Sequence, residues 1–242
     1  MTPLEALLAV QAHDTTIDQL RHRSATLPAR AEVAAIESQL AELEKKAAEV
    51  ATDLHAVDRR QKAAEDEVAS LAAKITELDK KLYGGTVSAI KELQALQADI
   101  EALQRRKSEI EDVELAAMEE REPFEAELGV IDGERARLDD LAGQLRAAIA
   151  EAEAEIESEV AAEVAVRDEA RAIVPPVLLD EYDRLRDKLG GVAAARLEPG
   201  GRCGGCHLSL PAQEVARIKR ELPIDALIHC EQCGRILVRV EA

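Results

Sequence analysis

Tryptophan is absent from this chain, and one phenylalanine and two tyrosines are its only aromatic side chains. A compact core serving 242 residues normally takes much of its buried area from aromatic rings, so one ordinary globular core is excluded. Long apolar runs are missing as well. No stretch approaches the ~18 apolar residues that a membrane-crossing helix requires. The opening MTPLEALLAVQAHDTT has neither a basic leader nor a clean apolar stretch, so no signal peptide is expected and a cytoplasmic, reducing location is. In that setting paired cysteines serve more often as metal ligands or catalytic thiols than as disulfides. Positive charge is also scarce. The formal net charge is −18, and because residues 180–242 sum to zero, residues 1–179 carry all of it. Such a surface repels nucleic acid in general, so any nucleic-acid contact has to be local.

What remains is alanine, leucine, valine and isoleucine interleaved with 33% charged residues, the composition of long helices and coiled coils. The chain opens with Thr2 as a candidate N-cap, Pro3 at the first helical position and Glu5 closing a capping box. Ala6, Val10, Ile17, Leu20 and Leu27 follow helical spacing until Pro28, which is expected to kink or restart the helix. From Val33 through Ile36, Leu40, Leu43, Ala47, Val50, Leu54, Val57, Gln61, Ala64, Val68, Leu71, Ile75 and Leu78 to Leu82, the spacing alternates three and four. A 3.5-residue repeat sustained that long predicts a left-handed coiled coil of roughly 75 Å.

YGGT at 83–86 reads as a stop and a turn. A second series follows, with Leu96, Leu103, Ile110, Ala117, Phe124, Ile131, Leu138, Leu145 and Ala152 on one stripe. Its partner stripe is interrupted by Lys107, Glu114, Arg121 and Arg135, and Pro123 is expected to bend the helix. A short turn between two heptad segments predicts an antiparallel hairpin. A register in which facing residue numbers sum to about 171 sets Lys46 against Glu125, Arg106 against Glu65 and Arg60 against Glu111, at the cost of Glu44 facing Glu127. VPP at 174–176 ends the second helix near Val174. The expected organisation is therefore a coiled-coil hairpin over 1–174, turning near 83–88, and a small domain over 175–242. In the latter, 177–191 reads as an amphipathic helix presenting Leu178, Tyr182, Leu185 and Leu189. The stretches 192–198, ALIHC and RILVRV read as strands, and 209–222 as a helix capped by Ser209.

All four cysteines lie in that small domain, in RCGGCHLSL at 202–210 and HCEQCGRIL at 229–237. Two CxxC pairs, Cys203/Cys206 and Cys230/Cys233, suit a tetrahedral four-thiolate zinc site, each pair forming a knuckle that offers two sulfurs at ~2.3 Å. Gly204, Gly205 and Gly234 are expected to let the backbone fold close around sulfur and take positive φ. A thioredoxin-like redox pair, a disulfide framework and an iron–sulfur cluster are the alternatives. The first lacks its βαβ setting, the second a secretion signal and the third its usual spacing. With four protein thiolates, one structural zinc without an open coordination position is expected. His207 and His229 adjoin ligands and read as polar neighbours of the knuckles. His13, His22 and His55 read as solvated or seam-edge side chains, and the paired carboxylates as a solvated coiled-coil face. No P-loop, dinucleotide fingerprint or nucleophile elbow is present, so no enzymatic activity is expected. The locally basic set Arg196, Arg202, Arg217, Lys219, Arg220, Arg235 and Arg239 is the candidate nucleic-acid surface, balanced by acids of the same domain and without aromatics for base stacking.

The tip stretch LYGGTVSAIKELQALQADIEALQRRKSEIED, with EYDRLR, CGGC, LPAQE and CEQCGRIL, resembles the bacterial C4-type zinc-ribbon, coiled-coil proteins long grouped as a domain of unknown function. The resemblance spans essentially the whole chain. It implies a mainly α protein, a long kinked antiparallel hairpin bearing a terminal zinc ribbon with short strands. It also implies an adaptor rather than an enzyme, since relatives are linked to an alternative sigma factor, to flagellar or type III secretion components, and to messenger RNA. By carry-over Cys203, Cys206, Cys230 and Cys233 are the zinc ligands, and Tyr83, Gly84, Gly85 and Lys91 a candidate partner-contact region. The expected role is a cytoplasmic adaptor holding a protein partner, with an RNA- or DNA-binding regulator acting through the ribbon as the alternative.

Overall fold

A computed structural model describes residues 2–85, 87–220, 223 and 226–239. Thr2 caps the first helix, α1 (Pro3–Ala25): its hydroxyl accepts from Glu5 N, and Glu5 Oε2 accepts from Thr2 N at 2.7 Å. Pro28 restarts the chain as α2 (Pro28–Tyr83), leaving a two-residue break. After the turn, α3 (Ile90–Arg171) runs through Pro123 as one helix. Next come α4 (Pro176–Lys188), β1 (Ala194–Glu198), β2 (Arg202–Cys203), α5 (Ala212–Arg220), β3 (Ile228–His229) and β4 (Ile236–Val238). The chain forms two compact units. One is Glu32–Gln144, and the other joins Met1–Ala31 to Leu145–Ala242.

Within Glu32–Gln144 every residue of the first heptad series is buried or half-buried, with Val57 only 1% exposed. Ala64, Leu71 and Ile110 form a core cluster against which Val68 and Leu103 pack. The cross-helix ion pairs do not fall on the expected sum of 171. Lys46 pairs with Glu127 at 2.6 Å and Arg106 with Glu67 at 3.1 Å, while Arg60 reaches Glu120 at 2.7 Å. Glu127 thereby faces a lysine instead of Glu44. Lys62 instead spends its ammonium on Glu65 and Asp66 of its own helix, the local i+3 and i+4 option that competes with cross-helix pairs.

The second unit is built on α1. Leu4, Ala6, Leu7 and Val10 join Ala170, Val174, Tyr182, Leu185, Ala193, Ala194, Ile236 and Val238 in one core. Helix α3 ends at Arg171, three residues before the expected stop, and Val174 is buried in that core. Two polar side chains of α1 are buried with it, which sequence reading did not anticipate. Gln11 accepts from the backbone N–H groups of Ala193 and Ala194 and donates to Gly191 O at 2.9 Å, tying α1 to the strand that begins the sheet. Asp14, 4% exposed, accepts from Tyr182 Oη at 2.7 Å and lies 3.5 Å from both Arg167 and Arg186. Burial, and then the bond to Asp14, raise the tyrosine's pKa far above its ordinary value. His13 is held too, its Nδ1 2.6 Å from Glu163.

Arg171 grips Asp183 through its two terminal guanidinium nitrogens, which donate at 3.0 and 2.6 Å. Those hydrogen bonds hold the Asp183 carboxyl below its ordinary range. The pair therefore stabilises at neutral pH, and its contribution disappears as pH falls below the usual carboxylate range.

Tyr182→Phe keeps the ring but leaves the buried Asp14 carboxylate without its hydroxyl donor. We expect a loss of about 1–3 kcal/mol, read by thermal unfolding at fixed zinc, whereas Tyr83→Phe at the exposed turn should leave stability unchanged.

Candidate metal centre

The C-terminal sheet runs β2-β1-β4-β3, with β1 and β4 parallel and both outer pairs antiparallel. Its two ends carry the cysteine knuckles. In the first, Cys203 ends β2, His207 N donates to Cys203 O at 2.8 Å, and Cys203 N donates to Leu208 O. In the second, Gly234 N donates to Cys230 O at 2.7 Å, and Cys230 N donates to Arg235 O. His207 and Gly234 are thus equivalent positions, each directly after the second cysteine of its pair. Both take positive φ, +63° and +75°. Gly234 does so freely, but His207 is a side-chain-bearing residue in a conformation that favours glycine.

Gly204 and Gly205, expected at positive φ, do not adopt it. Space is what they provide. A Cβ on Gly205 would lie 2.5 Å from Arg235 Cδ and 3.1 Å from Ala195 Cβ, and one on Gly204 3.0 Å from Arg196 O. The first knuckle lies flat on β1, and Gly204 N donates to Arg196 O at 2.9 Å. The helix expected over 209–222 starts at Ala212, so Ser209 does not cap it. Ser209 instead bridges Arg202 beside the sheet, and Glu221 and Leu222 lie outside the described residues.

The fold brings the four cysteines together, with one sulfur from each all within 4.8 Å of one another. Across the knuckles, Cys203 Sγ lies 4.0 Å from Cys233 Sγ and Cys206 Sγ 3.9 Å from Cys230 Sγ. A regular tetrahedron with Zn–S bonds of ~2.3 Å has edges of ~3.8 Å, so these side chains fit one zinc ion. All four are free thiols. Cys203 and Cys230 are buried, and they share a small core with Ala195, Leu210, Ile218, Ile228 and Leu237. Burial pushes the Cys203 thiol up and the Cys230 thiol up to about 12. At Cys233 burial, the largest cause, acts upward, but hydrogen bonds with the Arg235 backbone and side chain, Cys230 and Cys206 together outweigh it and bring the thiol down to about 7. Neither His207 nor His229 belongs to the cluster; His229 Nε2 lies 3.5 Å from Glu181.

The candidate nucleic-acid residues fare differently from one another. Arg235 is half-buried and donates to Val192 O at 2.9 Å, and Arg239 donates to Ile218 O at 2.7 Å. Arg217 grips Glu214 at 2.8 and 2.5 Å, and Arg202 donates to His207 O at 3.0 Å. Lys219 and Arg220 are exposed on the last turn of α5, and Arg196 is exposed on β1. The tip residues Tyr83, Gly84, Gly85 and Lys91 are all exposed at the reversal between α2 and α3. There a Cβ on Gly84 would lie 2.4 Å from Lys80 O.

A helical hairpin joined to a sheet-borne four-thiolate site defines a coiled-coil protein with a structural zinc ribbon. The chain belongs to the CT398-like coiled coil hairpin family, whose model matches residues 10–190, and the C4-type zinc ribbon domain matches residues 202–237. It is 30% identical to an uncharacterized protein of Mycobacterium tuberculosis over 98% of this chain and 95% of that one. Among solved structures it is similar to a Mycobacterium smegmatis protein, at 24% identity and a TM-score of 0.87 over 98% and 97% of the two chains. CT398 from Chlamydia trachomatis is similar at 20% identity and a TM-score of 0.71, covering 98% of each chain. The HP0958 protein from Helicobacter pylori gives 18% and 0.54, over 99% and 98%. The matched families are a coiled coil and a zinc ribbon, which fits a scaffold, and among the described residues no helix is long and apolar enough to cross a membrane.

Zinc takes thiolates, so its uptake must expel the protons that burial holds on Cys203 and Cys230. Affinity should fall as pH drops from about 8 to about 6, with proton release on binding, measured by chelator competition and calorimetry. Cys203→Ser combined with Cys230→Ser should abolish zinc binding, read by metal analysis of the purified chain.

Proposed function

We propose that the protein is a non-enzymatic adaptor of the bacterial cytoplasm that holds a protein partner through its hairpin and its ribbon, in gene regulation or secretion. The observation that carries this reading is the saturated metal site. Four cysteine sulfurs fill the tetrahedron, leaving zinc no open position at which to bind a substrate or activate water. Its work is then to hold a small sheet in shape. The hairpin supplies long exposed helical faces of dominant negative charge, suited to steering a basic or amphipathic partner.

The alternative reading, an RNA- or DNA-binding regulator, draws on Lys219 and Arg220, which stand exposed at the end of α5. Set against it, Arg202, Arg217, Arg235 and Arg239 are engaged with the protein's own acceptors.

Affinity capture from the native cell, with and without nuclease, separates the two readings. A protein partner retained after nuclease supports the adaptor. Capture lost with nuclease, together with a steep fall of affinity with salt that flattens in a Lys219→Ala, Arg220→Ala variant, supports the regulator.

A further inference from the structure

The two knuckles share a backbone and differ in the residue that closes each one. Cys203 N donates to Leu208 O and Cys230 N to Arg235 O, so Leu208 and Arg235 occupy equivalent positions. Their side chains go against ordinary preference. Leu208 is 53% exposed, while Arg235 is half-buried. An arginine drawn inward needs a counter-charge, because burial strips water from the guanidinium. Arg202 has Glu198 at 3.7 Å and Arg217 has Glu214 at 2.5 Å. Arg235 has no carboxylate partner among the described residues, and its Nε donates to a neutral acceptor, Val192 O, at 2.9 Å.

The Arg235 side chain joins the two halves of the metal site. Its own backbone closes the second knuckle, and its stem crosses the first. A Cβ on Gly205, which stands between Cys203 and Cys206, would lie 2.5 Å from Arg235 Cδ and 3.2 Å from Arg235 Nε. Gly205 therefore leaves the space that this side chain fills. Hydrogen bonds from the Arg235 backbone and side chain also reach the Cys233 sulfur. A zinc ion held by four thiolates is net negative, since the ligands bring more charge than the metal offsets. The counter-charge that Arg235 lacks among the carboxylates is thus present in the loaded metal centre.

We propose that Arg235 is a positioning residue of the zinc centre: its guanidinium offsets the excess negative charge of the four-thiolate ion and braces the two knuckles, and so governs how tightly zinc is kept. The proposal rests on the zinc site and is independent of the adaptor reading. It also takes Arg235 out of the candidate nucleic-acid surface and gives it a different role.

The test uses the full-length chain at fixed pH, with two readouts. One is the rate of zinc loss to an excess of chromophoric chelator, and the other is the sulfur-to-metal absorption band of the cobalt(II)-loaded protein. Arg235→Gln keeps a donor and removes the charge. It should speed zinc loss by about 10- to 100-fold, the range seen when a hydrogen-bonding partner of a metal ligand is removed, and it should shift the cobalt band. Arg235→Lys restores the charge on a differently shaped group and should recover part of the loss. Gly205→Ala should act by displacing the same side chain, so Gly205→Ala combined with Arg235→Gln should lose zinc no faster than the worse single variant. Arg196→Gln, at an exposed site on the neighbouring strand, should leave both readouts unchanged.

Zinc loss from Arg235→Gln at the wild-type rate overturns the proposal. A lysine variant as defective as the glutamine variant also overturns it, since the role is then one of shape alone. So does an equal loss in Arg196→Gln, which makes the effect one of diffuse charge. If the glutamine variant takes up no metal at all, the lysine variant decides: metal uptake by it supports the proposal, and failure of uptake overturns it.

Discussion

Gln11, Asp14 and Asp18 stand one above another on α1, spaced three and four residues apart, and the unit formed by the two ends of the chain is organised around that stripe. Gln11 completes the backbone of the segment entering β1, Asp14 receives the Tyr182 hydroxyl, and Asp18 accepts from Arg186 at 2.5 Å. Two elements distant in sequence, α4 and the start of β1, are thereby set by side chains of one helix. Such groups are costly to bury unless every partner is in place. The surrounding core of Leu7, Val10, Leu185 and Ile236 supplies the apolar area, but the polar contacts decide which arrangement is satisfied.

The zinc ribbon depends on that anchorage at one edge and on the metal at the other. Its strands are two to five residues long, too short to hold a sheet by ladder bonds alone. Four thiolates joined by zinc replace the missing core, and metal binding supplies folding free energy directly. The two knuckles are built alike, down to the positive φ after the second cysteine, although one uses glycine and the other histidine. His207 is positioned there by what surrounds it. Its N–H is held by Cys203, and its carbonyl accepts from Arg202, so backbone strain is offset by two hydrogen bonds.

The hairpin was legible because a 3.5-residue repeat is a one-dimensional signal. Each position of the first series from Val33 to Leu82 is buried or half-buried, and the glycine turn falls where YGG stands. Its register was less legible. Exposed ion pairs contribute little each, and a lysine or arginine reaches partners in its own helix as readily as across the seam, as Lys62 and Arg121 do. Exposed charges therefore constrain the register only loosely. Nothing in the spacing of Gln11, Asp14 and His13 distinguished them from the solvated residues around them. Their role needs Tyr182, Gly191 and Glu163, more than 140 positions away.

By itself the sequence determined the helices, the turn and the ligand set. Heptad spacing, proline and glycine breaks and CxxC pairs all act over a few residues, where backbone geometry and metal chemistry leave little choice. Tertiary structure decided what depends on distant partners. It placed α1 and the end of α3 in one unit with the ribbon, buried Asp14 against two arginines, and paired Lys46 and Arg106 with Glu127 and Glu67 rather than with Glu125 and Glu65. It also left Tyr83 in solvent while it buried Tyr182. Identical side chains acquire opposite roles because burial is a property of what the chain folds against, and that is written only in three dimensions.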